Sequence, residues 1–348
     1  MKRSLIRTFH RMALAAVLLA SVLPAHATFP GKNGQIAFVA GPDIYTMKPD
    51  GTDVKQLTNL GPDGSAFWES WAPDAKQIVF NEYHAPDFLG QLWLMNADGS
   101  NQHMLLADND FSDERPSFTP DGNSVIFSRC KPPDLEPCAL FQIEINGGGI
   151  TEITDFETGI QDYSPHYSAE NRLSFTGVSR NGIICAIELM DADQSHVRRL
   201  TPAALSARQP DWSPDERRIA FSSHCRGRDG NPQNEEIWVV NAKGDALRQI
   251  TKNGDQYFSG SHDFHPSWSP QGDAIVFERD APDFSNSGIF IVKTDGSGCK
   301  KILSLGISPR AGTLQRPRGQ KSDSSTARRH LKQIESGGAM PQWGPAAN

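Results

Sequence analysis

Six short segments of the chain share a pattern in which three consecutive residues are apolar or small and polar turns lie on either side. In each segment an Ile-x-Phe triplet or a close variant recurs, at intervals of 42 to 56 residues. Because successive side chains of a β-strand point to opposite faces, an unbroken apolar run predicts a strand that is buried on both faces. The six triplets lie at residues 36–38, 78–80, 125–127, 173–175, 219–221 and 275–277.

Other strands surround each triplet in a constant order. A Pro-x-Trp-Ser-Pro-Asp-Gly phrase or a variant precedes it, an aromatic strand and an Asp-Gly turn follow it, and Leu-Thr or Ile-Thr ends several of the units. Glycine tolerates the positive φ of tight hairpin turns, so these turns indicate antiparallel strands. A four-stranded unit of about 45 residues cannot bury both of its faces alone, but units stacked in a ring can. The sequence therefore predicts an all-β fold, a six-bladed β-propeller, over residues 28–348.

The two ends of the repeat region complement each other. The first unit has its Ile-x-Phe strand but lacks the Pro-x-Trp strand before it, and that phrase occurs instead at Pro341, Gln342 and Trp343. We therefore expect the C-terminal strand to pair with the first blade and close the ring.

Residues 1–27 have the features of a secretory signal peptide. Four basic residues precede an apolar stretch at 12–23, and Ala25-His26-Ala27 supplies the small-x-small pattern that signal peptidase needs. The stretch is too short to cross a hydrocarbon core of ~30 Å as a helix, although a membrane anchor is the alternative interpretation. We predict cleavage near Ala27-Thr28 and a periplasmic or secreted protein.

The charge and the length of the apolar runs limit the classes of partner that this protein can bind. The net charge is −7, and residues 1–27 carry none of the acidic side chains, so we expect no nucleic-acid binding, which needs a basic surface. No later apolar run approaches the length of a membrane span, and we expect a monomer that does not cross the membrane.

Residues 304–338 are rich in basic, Ser, Gly and Pro residues. They predict a flexible insertion, with a docking arm for an acidic partner or lipid surface as the alternative.

Five cysteines follow the predicted cleavage site. Cys130 and Cys138 flank a Pro-rich linker between two predicted strands, and export permits a disulfide across that hairpin. Cys185 and Cys225 are a second candidate pair. No cysteine lies in a CxxC motif, which disfavours redox catalysis and a zinc ribbon.

The repeat, with its Trp-Ser-Pro-Asp, Ile-x-Phe, Ile-Trp-x-x-Asn and Leu-Thr elements, resembles the WD-like propeller repeat of the TolB family. The resemblance covers residues 29–303 and 341–345. TolB proteins are periplasmic components of the Tol–Pal envelope system and carry an α/β domain ahead of the propeller. Here the repeat begins within ten residues of the predicted cleavage site, so we expect that domain to be absent. The resemblance implies an envelope module that binds a protein or a small ligand.

The residue just before each Pro-x-Trp strand is the candidate ligand-binding position. In a propeller the first strand of each blade lines the central channel, and these residues differ between blades while the structural positions repeat. We expect them to form a binding surface at the channel mouth, although loop residues also vary without a function. They are Trp68, Arg115, Ser164, Gln209, His265 and Met340.

Metal binding and catalysis are weaker hypotheses. His262, Asp263 and His265 offer imidazole and carboxylate ligands for a transition metal, but their spacing matches no established signature, and we predict no cofactor. Glu69, Asp113 and Asp162 could supply oxygen ligands for calcium. We find no catalytic motif for a hydrolase, a nucleotide-binding enzyme or a metalloprotease and expect a protein that is not an enzyme. The alternative is a secreted lyase or hydrolase similar to oligogalacturonate lyases, with a metal held by His265, His262 and either His166 or His224.

Overall fold

Each Ile-x-Phe triplet lies in the second strand of a four-stranded antiparallel sheet, and six such sheets form a ring. The computed structural model describes residues 30–106, 110–132, 137–156, 161–179, 185–223, 235–252, 260–281, 286–306 and 339–347. The predicted signal peptide and His224 and Cys225 lie outside these residues. A 3-10 turn at Ala203–Leu205 interrupts the strands, and none of the helical turns within the described ranges is long or apolar enough to be a membrane span.

Strands are numbered in chain order, and each blade runs from its first strand at the central channel to its fourth at the outer edge. Blade 1 contains β24 (Gln342–Pro345), β1 (Asn33–Ala40), β2 (Asp43–Met47) and β3 (Lys55–Gln56). Blade 2 contains β4 (Gly64–Trp71), β5 (Gln77–His84), β6 (Gln91–Asn96) and β7 (His103–Leu106). Blade 3 contains β8 (Ser112–Phe118), β9 (Ser124–Cys130), β10 (Cys138–Glu144) and β11 (Thr151–Glu152).

The second half of the ring repeats this order. Blade 4 contains β12 (Gln161–Tyr167), β13 (Leu173–Val178), β14 (Cys185–Met190) and β15 (Arg198–Arg199). Blade 5 contains β16 (Ala207–Trp212), β17 (Arg218–Ser223), β18 (Glu236–Asn241) and β19 (Arg248–Gln249). Blade 6 contains β20 (His262–Trp268), β21 (Ala274–Asp280), β22 (Ser287–Lys293) and β23 (Lys300–Gly306). The last strand of blade 6 takes the first three residues of the segment predicted as an insertion, and residues 307–338 lie outside the described ranges.

The hydrophobic core is divided among the gaps between neighbouring blades. In β5, Ile78 and Phe80 pack against blade 1, whereas Val79 between them packs against blade 3. All three side chains are fully buried. This arrangement explains the consecutive apolar residues, because each face of a blade is the core of a different interface.

The two chain ends meet in blade 1, as the sequence predicts. Strand β24 pairs antiparallel with β1, with Trp343 opposite Ile36. The amide of Val39 donates a hydrogen bond of 2.8 Å to the carbonyl of Ala339. Trp343 is buried in the interface between blades 6 and 1. The ring is therefore held shut by hydrogen bonds and apolar packing between segments from opposite ends of the repeat region.

The cysteines divide into one bridge and two free thiols among the described residues. Cys130 and Cys138 face each other across β9 and β10 and form a disulfide. Cys185 is a buried free thiol, and Cys299 is a partly exposed one.

Candidate functional site

A β-bulge occurs at the same position in the first strands of blades 2 to 6. In β8, Arg115 and Pro116 both lie opposite Phe127, so two residues of one strand face one of the other. Proline lacks an N–H group and cannot complete the ladder, and bulges are where strands accommodate it. Blade 2 has Glu69 in place of this proline.

The residue before the proline, or before Glu69, is left-handed in all six blades. Left-handed backbone disfavours residues other than glycine, asparagine and aspartate, yet none of the six is one of these. Because every blade repeats the conformation, it belongs to the architecture of the blade. The φ values are 59° at Trp68, 55° at Arg115, 50° at Ser164, 56° at Gln209, 51° at His265 and 37° at Met340.

These six residues, termed the mouth residues, all line one cavity at the centre of the ring. They are the six candidates that the sequence predicts, and five of them, all but Met340, lie at the bulge of their strand. The cavity has a volume of about 40 Å³, which is room for a few water molecules or one small chemical group. A larger ligand would place only a part of itself inside.

A second ring of side chains lies deeper in the channel, around a cavity of about 30 Å³. Apart from His166, which the alternative lyase or hydrolase hypothesis named as a possible metal ligand, these residues were not among the sequence candidates. The sequence did contain a signal for them. Each is the x residue of the Pro-x-Trp phrase, which varies between blades and lies two residues after a mouth residue. They are Ser70, Ser117, His166, Asp211, Ser267 and Gln342.

Three mouth residues form an aromatic and cationic cluster. The guanidinium carbon of Arg115 lies 4.6 Å from the ring centroid of Trp68 and 4.9 Å from that of Tyr163. The imidazole of His265 meets the Trp68 ring edge-to-face at 5.3 Å between centroids. The cluster spans blades 2, 3, 4 and 6, so only the closed ring assembles it.

Polar side chains of the neighbouring blades hold the mouth backbone in place. Asn81, the residue after the triplet of blade 2, accepts a 2.7 Å hydrogen bond from the amide of Arg115. Thr176 does the same for the amide of Gln209 at 3.1 Å. The side-chain oxygen of Gln209 accepts a 3.1 Å hydrogen bond from the amide of His265. Each of these three bulges is thus fixed by the preceding blade.

Glu69 contributes a buried carboxyl group to the same cavity. The residue is 2% exposed, and neither carboxyl oxygen has a hydrogen-bond partner among the described residues. Burial, together with the nearby negative charge of Glu278, raises the pKa of Glu69 well above its usual range.

Comparisons with known proteins identify this architecture. No family model matches the chain. An uncharacterised protein of Agrobacterium fabrum is 22% identical over 188 residues, and the match covers 51% of this chain and 60% of that relative, which is less than two thirds of its length. TolB from Acinetobacter baumannii superposes with a TM-score of 0.63 at 19% identity, covering 90% of this chain and 67% of that one. The chain has the fold of the TolB propeller.

Two further structures qualify the likeness to TolB. A protein assigned as TolB from Agrobacterium tumefaciens gives a TM-score of 0.60 at 19% identity, over 79% of this chain and 91% of that one. An oligogalacturonate lyase in complex with manganese gives a TM-score of 0.50 at 13% identity, over 79% of this chain and 74% of that one. At these identities the comparisons establish the fold and leave the activity to be argued from the site.

The metal candidates do not fit a metal centre in this TolB-like propeller. Both carboxylate oxygens of Asp263 accept hydrogen bonds from Arg279, at 2.6 and 2.7 Å. His265 Nδ1 lies 3.2 Å from the carboxyl of Glu278, and the His262 ring stacks on Phe264. Among the described residues no group of three or more His, Cys, Asp or Glu side chains could hold a metal ion.

The calcium candidates are also separated from one another. Glu69 lines the mouth cavity, but neither Asp113 nor Asp162 does. Asp113 forms a buried two-point ion pair with Arg129, at 2.7 and 2.8 Å. The carboxylates therefore serve different blades and do not converge on one ion.

His166 is the titratable base of the deeper ring. Its Nδ1 lies 3.5 Å from the Asp211 carboxylate, and its side chain is 22% exposed. Burial lowers the pKa of His166 from its ordinary 6.5 to about 4, so the imidazole is neutral near pH 7.

Asp162 lacks the arginine that its counterparts in other blades possess. Asp113 and Asp263 each face an arginine on the second strand, whereas Asp162 faces Gly177. Burial outweighs a hydrogen bond from Thr154 and raises the pKa of Asp162 from its ordinary 3.8 to about 6.

Replacing Asp162 by asparagine is expected to stabilise the protein at pH 7. The folded pKa is above the unfolded one, so the wild type loses stability as pH rises from about 4 to about 6, by up to about 3 kcal/mol. Asparagine keeps the oxygen that accepts from Thr154 and removes this titration. Urea unfolding at pH 4 and pH 7 should show a gain only at the higher pH. Glu170→Gln, at a side chain that is 75% exposed, is the control and should not increase the stability at either pH. An equal increase for Asp162→Asn at both pH values would contradict the raised pKa of Asp162.

Proposed function

We propose that this chain is an exported binding module of the cell envelope, periplasmic or secreted, that holds a protein partner or a small ligand at the channel mouth. The observation that supports it is the convergence of six left-handed residues of different chemistry on one cavity. A position dictated only by packing would carry similar side chains in every blade. Here the same backbone site carries tryptophan, arginine, histidine, serine, glutamine and methionine.

The proposal concerns binding without catalysis. Two pairs of ionisable groups near the mouth are engaged with each other, His265 with Glu278 and Asp263 with Arg279. The tryptophan and arginine of the mouth belong to the residue types that dominate binding energy at interfaces. The likeness to TolB is consistent with a scaffold in the envelope, and the acidic net charge argues against nucleic acid as the partner.

Site-specific photo-crosslinking tests this proposal. Asp63 is exposed in the loop before β4, at the mouth end of blade 2, and Asp98 is exposed in a hairpin turn at the opposite end of the same blade. A photoreactive residue at Asp63 is expected to give a discrete crosslinked product in the cell envelope, and one at Asp98 is expected to give none.

The product must depend on the mouth itself. Trp68→Ala, added to the Asp63 variant, should abolish it because the tryptophan supports the aromatic cluster. Equal products from Asp63 and Asp98, or a product indifferent to Trp68→Ala, would contradict binding at the channel mouth.

A further inference from the structure

Arg115 differs from the other arginines of the propeller that stack on aromatic rings. Its guanidinium lies over the rings of Trp68 and Tyr163, but it makes no ion pair or side-chain hydrogen bond with any described residue. The hydrogen bond that joins this residue to the side chain of Asn81 comes from its backbone amide. A guanidinium that stacks on aromatic rings through its face can still direct its N–H edges to a planar acceptor.

Four other arginines among the described residues also stack on aromatic rings, and they provide an internal comparison. Each is placed over at least one aromatic ring, and each contacts a carboxylate of the same chain. The pairs are Arg129 with Asp113 at 2.7 Å, Arg172 with Glu216 at 3.0 Å, Arg218 with Asp215 at 3.5 Å and Arg279 with Asp263 at 2.6 Å. Arg115 stacks on aromatic rings as these four do, but it pairs with no carboxylate in the part of the chain that the structure describes.

From this contrast we propose that Arg115 is the receptor for a carboxylate group of the ligand that enters the channel mouth. The inference rests on the proposed function, since it names the chemistry of the group bound at that same site. The guanidinium would bind the carboxylate through two parallel N–H···O bonds, as Arg129 and Arg279 bind their aspartates.

The cavity favours a single carboxylate over a phosphate. Its volume of about 40 Å³ admits one small group. The Glu278 carboxyl lies next to His265 in the same region, and it would repel a dianion more strongly than a monoanion. The Glu69 carboxyl, whose pKa is raised by burial, is uncharged over a wider pH range and can donate a hydrogen bond to a bound carboxylate.

Matched acids and neutral analogues test the inference. N-acetylglycine represents a peptide carboxylate and galacturonate a sugar acid, and their neutral counterparts are N-acetylglycinamide and galactose. Dissociation constants from ligand-observed NMR are expected to show binding of at least one acid and of neither neutral analogue. A response to N-acetylglycine alone would identify a peptide source, and one to galacturonate alone a sugar acid.

Arg115→Lys keeps the positive charge but loses the planar pair of donors. It is expected to weaken binding of the acid by about tenfold or more. Arg218→Lys is the matched control, because Arg218 also stacks on a tryptophan but already has Asp215, and its affinity should be unchanged. Thermal unfolding of both variants establishes that they are folded.

Two results would overturn the inference. One is equal binding of an acid and its neutral analogue, and the other is an Arg115→Lys affinity within about twofold of the wild type. The crosslinking experiment at Asp63 distinguishes a failure of the Arg115 inference from a failure of the proposed function. If the crosslinked product survives while no carboxylate binds at Arg115, the mouth is a binding site of another chemistry.

Discussion

Replacing Trp343 by alanine is expected to lower the free energy of unfolding by about 3–5 kcal/mol. The indole is 7% exposed and fills the gap between blades 6 and 1. Its strand, β24, is the segment that closes the ring, and the neighbouring Gly344 approaches the Trp71 ring so closely that a Cβ there would lie 2.6 Å from it. Loss of the indole therefore opens a cavity where the structure cannot collapse easily. Chemical denaturation followed by tryptophan fluorescence or circular dichroism measures the effect.

Trp268→Ala is the matched comparison for this prediction. Trp268 has the same register in blade 6, opposite Ile275, as Trp343 has in blade 1, opposite Ile36. The two tryptophan substitutions should lower the free energy of unfolding by similar amounts. Val197→Ala, at a residue that is 53% exposed, should lower it by less than about 0.5 kcal/mol. A cost for Trp343→Ala close to that of Val197→Ala would show that the last strand does not close the propeller.

Replacing Asp263 by alanine is expected to destabilise the protein by about 3–5 kcal/mol, because it removes the ion pair and both hydrogen bonds that this carboxylate makes with the buried guanidinium of Arg279. Both side chains are 1% exposed, and they form two hydrogen bonds of 2.6 and 2.7 Å. Phe277 and Phe290 stack on the guanidinium, so water cannot replace the carboxylate. Urea unfolding at neutral pH measures the loss.

A double variant separates the free-energy cost of losing one member of the ion pair from the cost of losing both members. Asp263→Leu combined with Arg279→Met removes both charges and should recover most of the stability that Asp263→Ala loses. Asp113→Ala should behave like Asp263→Ala, since Arg129 makes the equivalent pair in blade 3. A loss below about 1 kcal/mol for Asp263→Ala would mean that Arg279 finds another partner or reaches solvent.

The repeat made most of the fold predictable. Six apolar triplets required six sheets buried on both faces, and the displaced Pro-x-Trp phrase required the two ends to meet, as Trp343 and Ile36 do. The mouth residues were also predictable, because a repeated proline marks the same structural position in each blade. Sequence periodicity reveals such positions without any knowledge of distances.

The sequence alone did not reveal which polar groups neutralise each other. Asp263 was a weak metal candidate beside two histidines, for which no cofactor was predicted, and the antiparallel register places it opposite Arg279, 16 residues later. The contact between His166 and Asp211 in the deeper ring was missed for a related reason, since the two residues lie in different blades. Contacts of this kind depend on strand register and on the bulges.

The sequence by itself determined the number of blades, the strand order and the closing segment, because burial on two faces imposes a pattern on every repeat. Only the tertiary structure decided that the guanidinium of Arg115 lies over Trp68 and Tyr163 and pairs with no carboxylate of the described ranges. The physical reason is that hydrophobic burial depends on local periodicity, whereas the pairing of charges depends on distances across the closed ring.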